Sequence, residues 1–118
     1  DFKKATTLHK NLNQKDLEFK SKFQNKLKKL KLIVETKNFK PIFITQLKFD
    51  GLKDKKLFLV NNELKLFAET NGYFLIPLDE ILNMQVNDFY DKIHTTPQGS
   101  KRIANTIYPL LLNFFEKN

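Results

Sequence analysis

The sequence predicts an α/β protein built on a parallel sheet, because helix-like and strand-like segments alternate along the chain. Two short segments are apolar, β-branched and aromatic over most of their length, as strands buried on both faces are. They are PIFITQ at residues 41–46 and YFLIP at residues 73–77. A longer segment with helical spacing precedes each of them, and a third follows the second. This order predicts two parallel strands joined by a right-handed crossover.

Each predicted helix has apolar side chains at intervals of three or four residues. The first is predicted to begin at Asn13 with Asp16 as its capping partner, and its apolar face runs over residues 19–34. The second has its apolar face over residues 57–67 and ends at Asn71-Gly72, a typical left-handed cap. The third is predicted to begin at Thr96-Pro97 and has its apolar face over residues 103–114.

Two parallel strands are too few for a sheet that is covered on both faces. The 118 residues have the length of one domain, so we expect the chain to be part of a single α/β domain. A missing N-terminal half, or another chain, would complete the sheet. The start at Asp1 without an initiator Met also predicts a trimmed or processed chain. Residues 1–12 have no clear period and are predicted to be a lead-in that could be flexible.

The charge is unevenly distributed, with a net +10 in residues 1–56 and −2 in residues 57–118. Twenty of the 21 basic residues are lysines, whereas recognition of phosphates and bases favours arginine. The composition therefore favours a solvated lysine face over a nucleic-acid site. A lysine-rich module that binds nucleic acid or an anionic surface stays open as an alternative.

The remaining composition excludes several classes of site. The chain has no cysteine, which excludes disulfides, thiolate nucleophiles and cysteine-based zinc sites. Its two histidines are too few for a multi-histidine metal site. No apolar run is long enough for a transmembrane helix. Of the two histidines, His9 is predicted to be exposed in the lead-in.

The segment with a specific chemical signature contains Asp91 and His94, three residues apart before the last helix. At that spacing in a turn, the carboxylate can accept a hydrogen bond from His94 Nδ1–H, which leaves Nε2 free as a base. Thr45 and Gln46 end the first predicted strand, at the edge where α/β proteins bind ligands. They are candidates for substrate contact, with a structural hydrogen-bonding role as the alternative.

The stretch from Asp91 through Gly99, followed by SKRIANTIYPLL, closely resembles the last motif block of the SGNH (GDSL-type) hydrolases. In that family an Asp-x-x-His segment, commonly followed by Pro, Gly and Ile-Ala, supplies two members of a Ser-His-Asp triad. The match covers residues 89–112. Its matching positions are Asp91, His94, Pro97, Gly99, Ile103 and Ala104.

The resemblance implies a three-layer parallel-sheet architecture of the flavodoxin-like kind, of which residues 1–118 form roughly the second half. It implies hydrolysis of a small acyl ester, with His94 as general base and acid and Asp91 as the residue that orients it. It also implies that no metal or other cofactor is needed.

The family's Gly-Asp-Ser and Gly-x-Asn-Asp blocks are absent from this sequence. Ser21 lies among lysines and Ser100 lies in the last predicted helix, so neither is on the strand-to-helix turn that carries the family's nucleophile. The chain alone is therefore predicted not to hydrolyse esters. The nucleophile would come from the missing N-terminal half, or the chain is a non-catalytic relative.

Overall fold

Helices make up most of the chain in a computed structural model, which describes residues 2–117. The helices are α1 (Phe2–Leu8), α2 (Gln14–Lys37), α3 (Lys55–Asn71), α4 (Leu78–Ile81) and α5 (Pro97–Lys117). The strands are β1 (Ile42–Ile44) and β2 (Phe74–Ile76). Short 3-10 turns occur at Gly51–Lys53 and Val86–Asp88.

The helix boundaries follow local side-chain chemistry. Asn13 and Asp16 form the predicted capping box, in which each side chain accepts a backbone N–H of the other residue at 2.9 Å. Asp54 caps α3 by accepting the Leu57 N–H at 3.0 Å. Helix α2 ends at Asn38 and α3 at Gly72, both in the left-handed conformation that closes many helices. The predicted cap at Gly72 is thus confirmed.

The two strands pair in parallel, as predicted, with Phe43 opposite Leu75. The Phe43 ring packs edge-on against Phe67 of α3, with the ring centroids 5.8 Å apart. The Phe74 ring packs against Phe114 of α5, with a centroid distance of 4.8 Å. Because successive side chains of a strand point to opposite faces, α3 and α5 contact different faces of this strand pair. The buried core includes Ile76 and, on the helices, Ala68 and Phe114.

The predicted three-layer parallel-sheet α/β architecture is wrong for this chain. The structure is 68% helical, and its sheet has only two strands, of three residues each. The apolar segments at residues 41–46 and 73–77 do contain the strands, but only their central residues pair. Within residues 2–117 no further strand extends the sheet, so most of the molecule is helical, and the main contact between helices joins α2 to α3.

The first twelve residues differ from the predicted lead-in, because Phe2–Leu8 form α1. His9, predicted to be exposed, is buried with 8% of its surface accessible. Its Nε2 lies 2.7 Å from the Leu52 carbonyl oxygen, and its ring lies against Phe58 with a centroid distance of 4.8 Å. His9 thus joins α1 to the turn before α3, a long-range contact that periodicity does not predict.

None of the helices within residues 2–117 combines the length and the apolar character that crossing a bilayer would require.

Candidate functional site

The predicted Asp-x-x-His segment forms a closed loop between the Val86–Asp88 turn and α5. An isolated antiparallel bridge pairs Phe89 with Thr95. Inside it, the Tyr90 N–H donates to the His94 carbonyl at 2.8 Å. Outside it, the Thr96 N–H donates to the Asp88 carbonyl at 2.9 Å. These bonds hold the two ends of the loop together, so its tip has a defined conformation.

The tip of the loop brings Asp91 and His94 together as the spacing predicts. Asp91 Oδ1 accepts the backbone N–H groups of Ile93 and His94, both at 2.8 Å. Asp91 Oδ2 lies 2.7 Å from His94 Nδ1. An ionised carboxylate only accepts hydrogen bonds, so Nδ1 carries the proton and a neutral imidazole has its lone pair on Nε2. No group within residues 2–117 hydrogen-bonds to Nε2.

The Asp91 carboxyl stays ionised over a wide pH range. Hydrogen bonds from the backbone N–H groups of His94 and Ile93, and then from the His94 side chain, lower the pKa of Asp91 from 3.8 to about 2. A lowered folded-state pKa means that the charged form stabilises the loop above pH 3.8, and that this stabilisation is lost as the pH falls through about 2. At neutral pH the carboxylate is therefore available to hold the imidazole and to stabilise its protonated form.

An ion pair between a buried carboxylate and a partly exposed guanidinium supports the loop at its base. Asp88 is fully buried, and its Oδ2 accepts the Gln85 N–H at 2.7 Å and a bond from Arg102 Nη1 of α5. Arg102 Nη2 donates to the Asn83 carbonyl at 2.7 Å. Asp88 Oδ1 has no hydrogen-bond partner in the described part of the chain. The pair therefore ties the segment before the loop to the helix after it.

The start of α5 also contacts the loop closely. The Thr96 hydroxyl accepts the Gly99 N–H at 3.1 Å, which confirms the predicted cap, and donates to the Asn87 carbonyl at 2.9 Å. A Cβ at position 99 would overlap the Asp88 carbonyl oxygen. Only glycine fits there, so this residue of the SGNH-like motif has a packing role in this structure.

Sequence reasoning missed the Asp88–Arg102 pair, which positions the candidate site without belonging to it. The residues are fourteen positions apart on different elements, and no short spacing links them. One signal was available, because Arg102 is the single arginine among 21 basic residues. A planar guanidinium suits a buried carboxylate better than a lysine does.

The Asp91–His94 pair lies on the open surface of the chain. The side chains of His94 and Asp91 are 70% and 56% exposed. Apolar side chains of the same loop, Tyr90 and Ile93, are also exposed, as is Val86 in the turn before it. The pair is therefore accessible, and nothing within residues 2–117 encloses it.

A separate cleft of about 430 Å³ lies at the carboxyl ends of the two strands. Its lining includes the polar residues Gln46, Asn61 and Asp79 and the apolar residues Leu47 and Phe58, but neither Asp91 nor His94. The loop after β1 links the two places, because the Phe49 N–H donates to the carbonyl of Lys92 at 2.8 Å. The loop after β1 thus lines the cleft and also contacts the loop that carries the pair.

Thr45 and Gln46, the candidates for substrate contact, occupy different environments. The buried Thr45 hydroxyl donates to Asp79 Oδ1 at 2.7 Å and lies 3.0 Å from the Asp79 N–H. Gln46 is exposed and lines the cleft, and its backbone is fixed by the Asn61 side chain at 3.0 Å. Substrate contact by either residue stays a prediction.

The two serines lie away from any strand-to-helix turn. Ser100 is in the first turn of α5, and its Oγ lies 2.7 Å from the Thr95 hydroxyl. Ser21 is exposed on α2. Across residues 2–117, no three or more histidine, cysteine, aspartate or glutamate side chains cluster as a metal site would require. The candidate site is therefore a base and its carboxylate without a nucleophile beside them.

Comparison of the chain with protein-family models, with curated proteins and with solved structures gave no match.

Proposed function

We propose that this chain supplies the general base and its orienting carboxylate to an SGNH-like serine ester hydrolase, whose nucleophile lies outside residues 1–118. One observation carries the proposal: His94 Nδ1 is bound to Asp91 at 2.7 Å, while Nε2 is exposed and has no partner in residues 2–117. A hydroxyl brought to Nε2 would meet a base in the correct tautomer. The motif resemblance over residues 89–112 supports the same reaction class.

The chemistry follows from the two nitrogens of the imidazole. Nε2 accepts the proton of a serine hydroxyl as its oxygen attacks the acyl carbon of the ester. The imidazolium that forms is stabilised by the Asp91 carboxylate, which is charged at neutral pH. Nε2 then returns the proton to the departing alcohol, and a water molecule repeats the cycle to release the acid. These steps require no metal or other cofactor from this chain.

The proposal requires another polypeptide segment over the exposed pair, either from the rest of the same protein or from a second chain. The apolar side chains of Tyr90 and Ile93, in the same loop, and of Val86, in the turn before it, are exposed. Apolar surface of this kind is typical of a surface that is covered in an assembly. A covering segment would also exclude water, which strengthens the interaction between the carboxylate and the imidazolium.

The same segment, or one next to it, would extend the β1–β2 pair. Two strands of three residues form an unusually small parallel sheet, and both of them are edge strands. The proposed substrate is a small acyl ester. The cleft that Gln46 lines offers space for part of it, and the loop after β1 contacts the loop of the pair through the Phe49–Lys92 hydrogen bond.

The proposal is tested by labelling with a fluorophosphonate, which reacts only with an activated serine. We expect the product of the complete reading frame that encodes these residues to be labelled, and the isolated 118-residue chain to remain unlabelled. Labelling should disappear in the His94→Ala variant and persist in Lys92→Ala, which changes an exposed side chain of the same loop. Mass spectrometry would then identify the labelled serine.

Two results of the labelling experiment would contradict the proposal. If the complete product is not labelled, the chain is a non-catalytic relative. If label attaches to Ser21 or Ser100 in the isolated chain, the nucleophile does not lie outside residues 1–118.

A further inference from the structure

We propose that the outward side of α2 binds the surface of an anionic lipid bilayer. The binding surface consists of four lysines, which we call the α2 lysine stripe, and an apolar end beyond them. The stripe is Lys15, Lys22, Lys26 and Lys29. This proposal is independent of the hydrolase, because it uses neither the Asp91–His94 pair nor the cleft.

The stripe lies along one side of a helix. Its members are separated by seven, four and three residues, so they lie one above another on α2. All four are exposed, while Leu27 and Val34 on the other side of the helix are buried. The stripe therefore presents a row of positive charges that points away from the core.

The stripe lysines lack the partners that other lysines of this region have. Lys20 pairs with Glu63 at 3.5 Å, and Lys55 pairs with Asp16 at 2.7 Å. None of the stripe lysines forms an ion pair or a side-chain hydrogen bond with residues 2–117. Two acidic residues lie within the span of the stripe: Asp16 is already paired with Lys55, and Glu18 is exposed and without an ion pair in the described chain. The row thus keeps a net positive charge that no part of the described fold neutralises.

Exposed apolar side chains lie at the C-terminal end of α2. Ile33 continues the stripe four residues after Lys29 and is 51% exposed. Leu32, about 100° away from it around the helix, is 66% exposed, and Phe39, just after the helix, is 59% exposed. Lysines next to exposed aliphatic and aromatic side chains are the combination that peripheral proteins use at the headgroup boundary. The charges attract anionic headgroups, and the apolar side chains enter the acyl region.

A bilayer fits this surface better than a nucleic acid does. Compact ammonium groups suit a diffuse negative surface, whereas reading of phosphates and bases favours arginine. The single arginine, Arg102, lies on α5 and is bound to Asp88, so it is not part of the stripe. The aliphatic side chains Leu32 and Ile33 cannot stack on the bases of a nucleic acid. Their transfer from water into the bilayer is favourable, because it removes apolar surface from water.

The experiment is co-sedimentation of the 118-residue chain with vesicles of mixed phosphatidylcholine and phosphatidylglycerol, compared with pure phosphatidylcholine. We expect binding to the mixed vesicles and none to the neutral ones. Lys22→Gln, Lys26→Gln and Lys29→Gln together should weaken binding about 100-fold, at about fivefold for each lysine. The matched control also replaces three lysines by glutamine, at Lys10, Lys101 and Lys117, which lie outside α2. It should weaken binding by less than about threefold.

A second variant separates the apolar contribution from the charge. Leu32→Ser with Ile33→Ser should weaken binding to the mixed vesicles about tenfold. The binding that remains should be more sensitive to salt, because charge then supplies a larger share of it. All variants change exposed side chains, and circular dichroism checks that they fold. Failure of the wild-type chain to bind the mixed vesicles would overturn the proposal, as would equal losses in the two lysine variants. Tighter binding to a duplex oligonucleotide, with no effect of the serine substitutions, would overturn it in favour of nucleic acid.

Discussion

Replacing His94 by alanine is expected to lower kcat/KM for ester hydrolysis by about 10²–10⁴, the usual contribution of a positioned acid–base group. The measurement uses the product of the complete reading frame, with a chromogenic short-chain ester as substrate. The physical reason is the proton transfer: without Nε2, the attacking hydroxyl has no base and the departing alcohol has no acid. The imidazole is exposed, and within residues 2–117 its one hydrogen bond is to Asp91, so its removal should leave the fold unchanged.

The control for this measurement is Lys92→Ala. Lys92 lies between the two residues of the pair, its side chain is exposed, and its bond to the Phe49 N–H uses the backbone carbonyl. We expect Lys92→Ala to keep activity within about threefold of the wild type. Hydrolysis by the His94→Ala protein at the wild-type rate would show that another group is the base.

Replacing Arg102 by methionine is expected to lower the free energy of unfolding of the 118-residue chain by about 3 kcal/mol. The substitution keeps most of the aliphatic length but leaves the Asp88 carboxylate buried without its cation. That carboxylate is fully buried, and its Oδ1 already has no hydrogen-bond partner within residues 2–117. Urea unfolding followed by circular dichroism measures the change.

Two further variants identify the cause of that loss. Lys101→Met removes the same charge from an exposed neighbour on α5 and should cost less than about 0.5 kcal/mol. The double variant Asp88→Asn with Arg102→Met removes the buried charge itself and should regain much of the loss. If Arg102→Met costs no more than Lys101→Met, the ion pair does not hold the base of the loop.

The local structure of this chain follows closely from its sequence. Three predicted helix boundaries agree with the structure, because capping side chains and left-handed residues act within one turn of backbone, whereas α1 and the Asp54 cap of α3 were not predicted. Asn13 with Asp16 begins α2, Thr96 begins α5, and Gly72 ends α3. The hydrogen bond between Asp91 and His94 is predictable for the same reason, since three residues and one turn determine it.

The longer-range features could not be predicted in this way. Strand-like composition identifies segments that can pair, but it does not determine how many of their residues pair. Here three residues pair in each strand, and the molecule is mostly helical. The burial of His9 depends on a contact with Leu52, 43 residues away. The Asp88–Arg102 pair depends on how the segment before the loop meets α5. In each case the contact joins segments that are distant in sequence, so no local pattern of residues predicts it.

The protonation of the His94 ring in the 118-residue chain tests the central claim most directly. Nitrogen chemical shifts and one-bond couplings at neutral pH identify which ring nitrogen carries the proton. The hydrogen bond to Asp91 predicts a proton on Nδ1 and a bare Nε2 in the neutral ring, with this preference lost in Asp91→Ala. A proton on Nε2 in the wild-type chain, or the same tautomer mixture in the wild type and in Asp91→Ala, would contradict the account.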